Sequence, residues 1–204
     1  NGLNKKQMTE QELREQNDHL MFMQSIQEDC AIDINKKIEH PPVAISFKSK
    51  EVDTKDGAKE FPIPIGTYGN FSFIQAPPKS MKTFFVSLLA SAFCNPKGTH
   101  TKGMSSFRDG KQFVHFDTEQ GEWHSQRVFK RIQWMNKGLS LDFYHTFALR
   151  QINYKTRIDF IEYYLENLKQ EGKKIGLVVI DGIADLVSDV NNLEESSAVT
   201  QKIM

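Results

Sequence analysis

The stretch Ala76-Pro77-Pro78-Lys79-Ser80-Met81-Lys82-Thr83 decides how the rest of this chain is read. Phe71-Ser72-Phe73-Ile74-Gln75 precedes it as an apolar strand, and Phe84-Phe85-Val86-Ser87-Leu88-Leu89-Ala90 follows as an apolar helix. A strand, a loop ending in Lys-Thr and a helix form the context of a phosphate-binding loop, where backbone N–H groups and a helix N-terminus point at an anion. In that reading Pro78, Lys79, Ser80, Met81, Lys82 and Thr83 contact phosphate. Lys82 reaches the β- and γ-phosphates, and the Thr83 hydroxyl holds Mg²⁺. Ala76 and Met81 stand at the two positions where glycine is usual, so Met81 is expected to keep a helix-compatible backbone and turn its side chain away. Taken alone, Lys82-Thr83 after two prolines also reads as an ordinary helix start.

Two further segments bear on the choice. Ile175-Gly176-Leu177-Val178-Val179-Ile180-Asp181 is an apolar run ending in a carboxylate, the pattern of a fully buried parallel strand. An aspartate at the C-terminal end of such a strand lies at the ligand edge of an open α/β sheet, where it can bind Mg²⁺ directly or through water. A plain strand followed by an Asp181-Gly182 turn is the simpler account. Phe113-Val114-His115-Phe116-Asp117-Thr118-Glu119-Gln120 is a strand ending in two carboxylates spaced by two, on one side if the strand continues. A glutamate there can orient the water that attacks a γ-phosphate; a solvated strand end is the alternative.

Together these segments resemble the RecA-like P-loop ATPases, nearest to the hexameric replicative helicases and the plasmid RepA-type helicases. The resemblance spans roughly residues 62 to 192. Gly66-Thr67-Tyr68-Gly69-Asn70-Phe71 is similar to the lead-in to the first strand of that branch, Phe116-Asp117-Thr118-Glu119 to its strand ending in the catalytic glutamate, and Val179 to Leu186 to its Walker B strand and following loop. The resemblance implies ATP and Mg²⁺ as ligands. It implies Lys82 and Glu119 as catalytic residues, with Asp117 as the substitute carboxylate, and Thr83 and Asp181 as metal ligands. It further implies a hexameric homo-oligomer that couples hydrolysis to movement on single-stranded DNA in DNA replication or mobilisation. Met81 departs from the family pattern. A further core strand bearing a polar sensor residue is expected beyond the sequence in hand, which is read as a piece of a longer protein.

Composition bounds the alternatives. The 204 residues are 39% apolar and 25% charged, enough for one substantial domain with an extension. The net charge is zero, so nucleic-acid contact needs a local patch or a ring assembly; Lys79, Lys97, Lys102, Arg108 and Lys111 lie in or near loops and are candidates for one. Cys30 and Cys94 are too few for a disulfide framework or a cysteine metal site. No apolar run has the length of a membrane span, and a cytoplasmic setting without membrane contact is expected.

The expected fold class is α/β: a mostly parallel sheet flanked by helices, a RecA-like core incomplete at its C-terminal part. Residues 1–42 form an N-terminal helical extension whose Leu13, Leu20, Met21, Met23 and Ile26 make a sparse apolar stripe. Residues 43–204 form the ATPase domain, entered through a short β-hairpin over 43–65 with its turn at Asp56-Gly57. Strands are expected at 71–76, 113–117, 140–147 and 175–180, and helices at 82–94, 122–136, 155–170 and 193–204. A loop is expected over 95–112. Trp123, Val128, Ile132 and Met135 set the helical spacing of the second core helix. His145, expected near the C-terminal end of its strand, is a further site candidate, as are His124 and Arg127. A non-catalytic nucleotide sensor or scaffold with a degenerate loop is the alternative function. A ligand-free structural α/β module and a small-molecule kinase are more distant ones.

Overall fold

A computed structural model describes residues 9–77, 80–95, 103–138, 140–189 and 191–203. The chain divides into two compact units, Asn1–His40 and Pro41–Met204.

Among the described residues the first unit holds one helix, α1 (Glu10–Cys30). Thr9 caps it: its Oγ1 accepts from the Glu12 amide while the Glu12 carboxylate accepts from the Thr9 amide at 2.7 Å, a reciprocal capping box. None of its residues is buried, and the apolar positions Leu13, Leu20, Met21, Met23 and Ile26 all stand exposed.

The second unit is α/β, with two small sheets. The first begins with β1 (Val43–Thr54) and β2 (Gly57–Thr67), an antiparallel hairpin whose turn closes at Gly57 with φ +104°. The hairpin lies where it was expected, ending at Thr67 rather than residue 65, and its charged outer half pairs backbone to backbone without burying side chains. Its third strand, β3 (Met104–Ser106), pairs antiparallel with Ile45, Ser46 and Phe47 of β1, so the expected 95–112 loop contains a strand.

The second sheet is wholly parallel, in the order β5 (Tyr144–Ala148), β4 (Gln112–Asp117), β6 (Ile175–Asp181). Its strands alternate along the chain with α2 (Lys82–Cys94), α3 (Glu122–Met135), α4 (Tyr154–Gln170), a 3-10 turn at Ile183–Leu186 and α5 (Leu193–Ile203). Strand periodicity in β4 splits the core in two. Val114 and Phe116 pack with Ile161 and Leu168 of α4, Leu186, and Val199 of α5. Phe113 packs on the other face with Ala90, Phe93 and Cys94 of α2 and Ile132 of α3. Phe93 and Phe113 are fully buried and meet edge to face at 6.0 Å, each contributing about 1.5–3 kcal/mol of burial. Helices therefore cover both faces, and the C-terminal ends of the three parallel strands are left to carry chemistry.

Three strand expectations are corrected. Residues 71–76 are not a strand: among the described residues no ladder reaches them, and a strand without a partner leaves its backbone to water. Phe71 and Phe73 remain exposed and meet edge to face at 5.4 Å. The 140–147 strand starts instead at Tyr144, because the Ser140 hydroxyl bonds Asp142 at 2.6 Å and the Tyr144 amide bonds Leu141 at 2.8 Å, turning the preceding residues out of the sheet. β6 is half-buried rather than fully buried, since among the described residues it pairs on one side only, with β4.

No described helix is long and apolar enough to cross a membrane.

Candidate functional site at the carboxyl edge of the parallel sheet

β4 and β6 run in parallel register to their ends, so Asp117 stands opposite Asp181. The two strand ends are locked together beyond the ladder. The Thr118 amide donates to the Asp181 carbonyl at 3.0 Å, and the Thr118 hydroxyl lies 3.1 Å from that carbonyl and 2.7 Å from that of Gly182. Gly182 takes φ +102°, and a Cβ there would lie 2.5 Å from Thr118 Oγ1. Only glycine fits so close a contact with that backbone. Arg157 of α4 adds a second tie, donating to the carbonyls of Leu149, Arg150, Ile152 and Asp185 at 2.7–3.0 Å.

Against this rigid edge sits the start of α2. Lys82 Nζ lies 3.5 Å from Asp181 Oδ1 and 3.8 Å from Glu119 Oε2. Thr83 Oγ1 lies 3.4 Å from the other Asp181 oxygen, Oδ2. Asp181 is buried, whereas Glu119 faces solvent. Four of the residues read as site residues, Lys82, Thr83, Glu119 and Asp181, are thus brought together. Ser80 is exposed in a bend just before them, its amide donating to the Pro77 carbonyl at 3.2 Å. Pro78 and Lys79 lie outside the described residues.

Met81 differs from expectation. Its backbone is left-handed, φ 64° and ψ 22°, not helix-compatible, and its side chain is 72% exposed. The conformation is the one glycine favours, so the loop keeps the shape of a glycine at this position and bears the strain of a side chain. The Met81 carbonyl accepts from the amides of Phe84 and Phe85, while no side chain caps α2. The amides of Lys82 and Thr83, ahead of those two, are the ones suited to an anion.

Asp117 is held differently from Glu119. β4 ends at Asp117, which is 1% exposed, and its Oδ1 accepts from the amides of Glu119 at 3.1 Å and Gln120 at 2.9 Å. That oxygen turns the chain and presents Glu119 from a bend, so the two carboxylates do not share a face by strand alternation. His145 is displaced from the site: as the second residue of β5, in register with Val114, it lies toward the opposite edge, between Gln112 at 3.0 Å and the Tyr164 hydroxyl at 2.9 Å. His124 and Arg127 are exposed on α3, with Arg127 over the Trp123 ring.

The residues present fit Mg²⁺ held with a phosphate. No group of three or more His, Cys, Asp or Glu residues among the described residues forms a protein-only metal cage. Mg²⁺ bound with a phosphate needs only one or two carboxylates and a hydroxyl, all hard oxygen donors, and Asp181 and Thr83 supply that set.

Sequence reading missed Thr118, Gly182 and Arg157. The glycine directly after the strand-terminal aspartate was the one available signal; hydroxyl-to-carbonyl and guanidinium-to-carbonyl contacts leave no periodic trace. Comparison with family models, curated proteins and solved structures returned no match.

Proposed function

We propose that this chain is the ATP-binding and ATP-hydrolysing domain of a helicase-type ATPase with a RecA-like core. The observation that carries the reading is the meeting of Lys82 and Thr83 with Asp181, which lies 98 positions beyond Thr83, beside Glu119, at the carboxyl edge of a parallel sheet. ATP is the substrate in this reading, and Mg²⁺ offsets phosphate charge when bound. Lys82 exchanges its carboxylate partners for phosphate oxygens, and the open first turn of α2 donates backbone N–H groups to the same anion. Thr83 and Asp181 would hold the metal, with Asp181 kept in place by the Thr118 clasp on its carbonyl. Glu119, exposed in the turn that Asp117 holds, orients and deprotonates the attacking water. Assembly into a hexameric ring moving on single-stranded DNA, in a cytoplasmic replication or mobilisation system, rests on the family resemblance alone.

Glu119→Gln tests the catalytic assignment. Phosphate release at saturating Mg²⁺–ATP should fall at least 100-fold while nucleotide affinity changes little. Equal turnover in the variant and the parent would remove Glu119 from the mechanism. Left-handed Met81 supports a second reading, a nucleotide sensor that binds without turnover. That reading predicts binding with no phosphate release in either protein.

A further inference from the structure

The start of α2 carries Lys82 and Thr83, yet it follows a left-handed Met81 and no side chain caps it. Its first turn is held from α3 instead. Ser87, one turn beyond Thr83 and fully buried, donates its hydroxyl to the Thr83 carbonyl at 2.8 Å. Alone this is the common back-bond of a helical serine. Here the same oxygen accepts from Arg131 Nη1 at 3.2 Å. The Arg131 guanidinium also lies over the ring of Phe84, the residue after Thr83, at 3.9 Å. Arg131 is half-buried and flanks the inner face of α3, about 60° around the helix from buried Val128. One turn further along α2, Asn136 Nδ2 donates to Ser91 Oγ at 3.3 Å, with both residues buried. Of the loop cations expected to form a patch, Arg108 lies over the Phe143 ring and Lys111 over Tyr68, while Lys79, Lys97 and Lys102 fall outside the described residues.

We propose that Arg131 is a positioning residue for the metal half of the candidate site: acting through Ser87, it fixes the turn that aims the Thr83 hydroxyl at Asp181. The inference rests on the nucleotide reading and extends it to a residue that touches no ligand. A guanidinium only donates, so it occupies a lone pair of the Ser87 oxygen and leaves the one hydroxyl proton for the Thr83 carbonyl. The contact from Arg131 is charge-assisted, and its stacking on Phe84 holds the same turn from outside. The two site residues of that turn respond differently to a shift of their backbone. Lys82 has a flexible four-carbon stem that can still bring its ammonium to an anion. The Thr83 hydroxyl sits on a stiff β-branched side chain and moves with the helix. Loosening the turn therefore acts on the metal requirement before it acts on the grip on phosphate.

The test is a calorimetric measurement of ATP affinity by the whole chain at a series of Mg²⁺ concentrations and without Mg²⁺. Arg131→Met and Ser87→Ala should each raise the Mg²⁺ concentration needed for half-maximal tightening roughly 10-fold, while affinity without Mg²⁺ changes little. The double variant should lose no more than either single one, because both act along one route. Arg131→Lys should recover part of the loss, since an ammonium can still donate to Ser87. Ser91→Ala, the same change one turn further on, should lower the urea midpoint and leave the Mg²⁺ requirement as in the parent. Urea midpoints of every variant separate these effects from unfolding. A parent that binds with an unchanged Mg²⁺ requirement in Arg131→Met overturns this inference alone. Equal losses with and without Mg²⁺, or an equal loss in Ser91→Ala, would make the contact merely structural and overturn it too. Additive losses in the double variant would overturn the route through Ser87. A parent that binds no Mg²⁺–ATP overturns the nucleotide reading, and this inference with it.

Discussion

Thr83 and Asp181 meet at 3.4 Å, hydroxyl to carboxylate, although 98 positions separate them in the chain. Each is placed by a different local rule: Thr83 by the first turn of α2, Asp181 by the C-terminal end of β6. Their contact brings two unrelated sequence features to one sheet edge. Both are hard oxygen donors, of the kind that would suit Mg²⁺.

The clasp on Asp181 should be sensitive to a single methyl group. Gly182→Ala places a Cβ against Thr118 Oγ1 in a backbone of φ +102°. We predict a loss of about 2–3 kcal/mol in urea unfolding. Nucleotide affinity should fall with it, because the Asp181 carbonyl loses its fixed partner. An unchanged urea midpoint would show that the strand ends separate freely.

Met81→Gly should act in the opposite direction. The left-handed backbone strains methionine and suits glycine, although glycine also loosens the unfolded chain. The net expectation is a gain of up to about 1 kcal/mol in stability and tighter Mg²⁺–ATP binding. Chemical denaturation and calorimetry on the same variant check the two halves of this statement.

His115 makes stability depend on pH. It is fully buried, its Nδ1 lies 3.0 Å from the Tyr144 hydroxyl, and its Nε2 has no hydrogen-bond partner. Burial pushes its pKa down from 6.5 to about 3. The unfolded chain therefore binds the proton first, and the stability due to neutral His115 is complete above pH ~6.5. It is lost as pH falls toward ~3, at up to about 1.4 kcal/mol per pH unit. His115→Gln should flatten this part of the profile in urea midpoints measured between pH ~7 and ~4. A parallel slope in the variant would assign the acid sensitivity to other groups.

Arg157 should prove structural rather than a phosphate ligand. Its guanidinium donates to four carbonyls at the ends of β5 and of the 3-10 turn. Arg157→Ala leaves those carbonyls without a charged donor and should destabilise by roughly 2–4 kcal/mol. Arg157→Lys should recover only part of this, since an ammonium cannot reproduce the planar fork.

What was legible in the sequence follows physical rules that act locally. Lys82, Thr83, Glu119 and Asp181 could be found because each lies at or just beyond an end of an apolar run, and run ends in alternating strand–helix order converge on one sheet edge. α2 forms over the residues expected, since an apolar run after prolines has a defined start. Phe71 to Gln75 were misread for the converse reason: alternation signals a capacity to pair, and pairing needs a neighbour. β3 escaped because it is three residues long and carries no apolar pattern, whereas the hairpin around Asp56-Gly57 was marked by its turn. Trp123 was misplaced because a helical spacing assigns tryptophan to the core by default, whereas here it is exposed and Ser125, Val128 and Ile132 fill the inner face of α3.

The most direct test of the central claim is calorimetric titration of Mg²⁺–ATP into this chain and into Lys82→Ala. The account predicts saturable, Mg²⁺-dependent binding in the parent and its loss in the variant, with both proteins equally folded. Binding that survives Lys82→Ala, or no binding in either protein, would contradict the assignment of Lys82, Thr83, Glu119 and Asp181 as a nucleotide site.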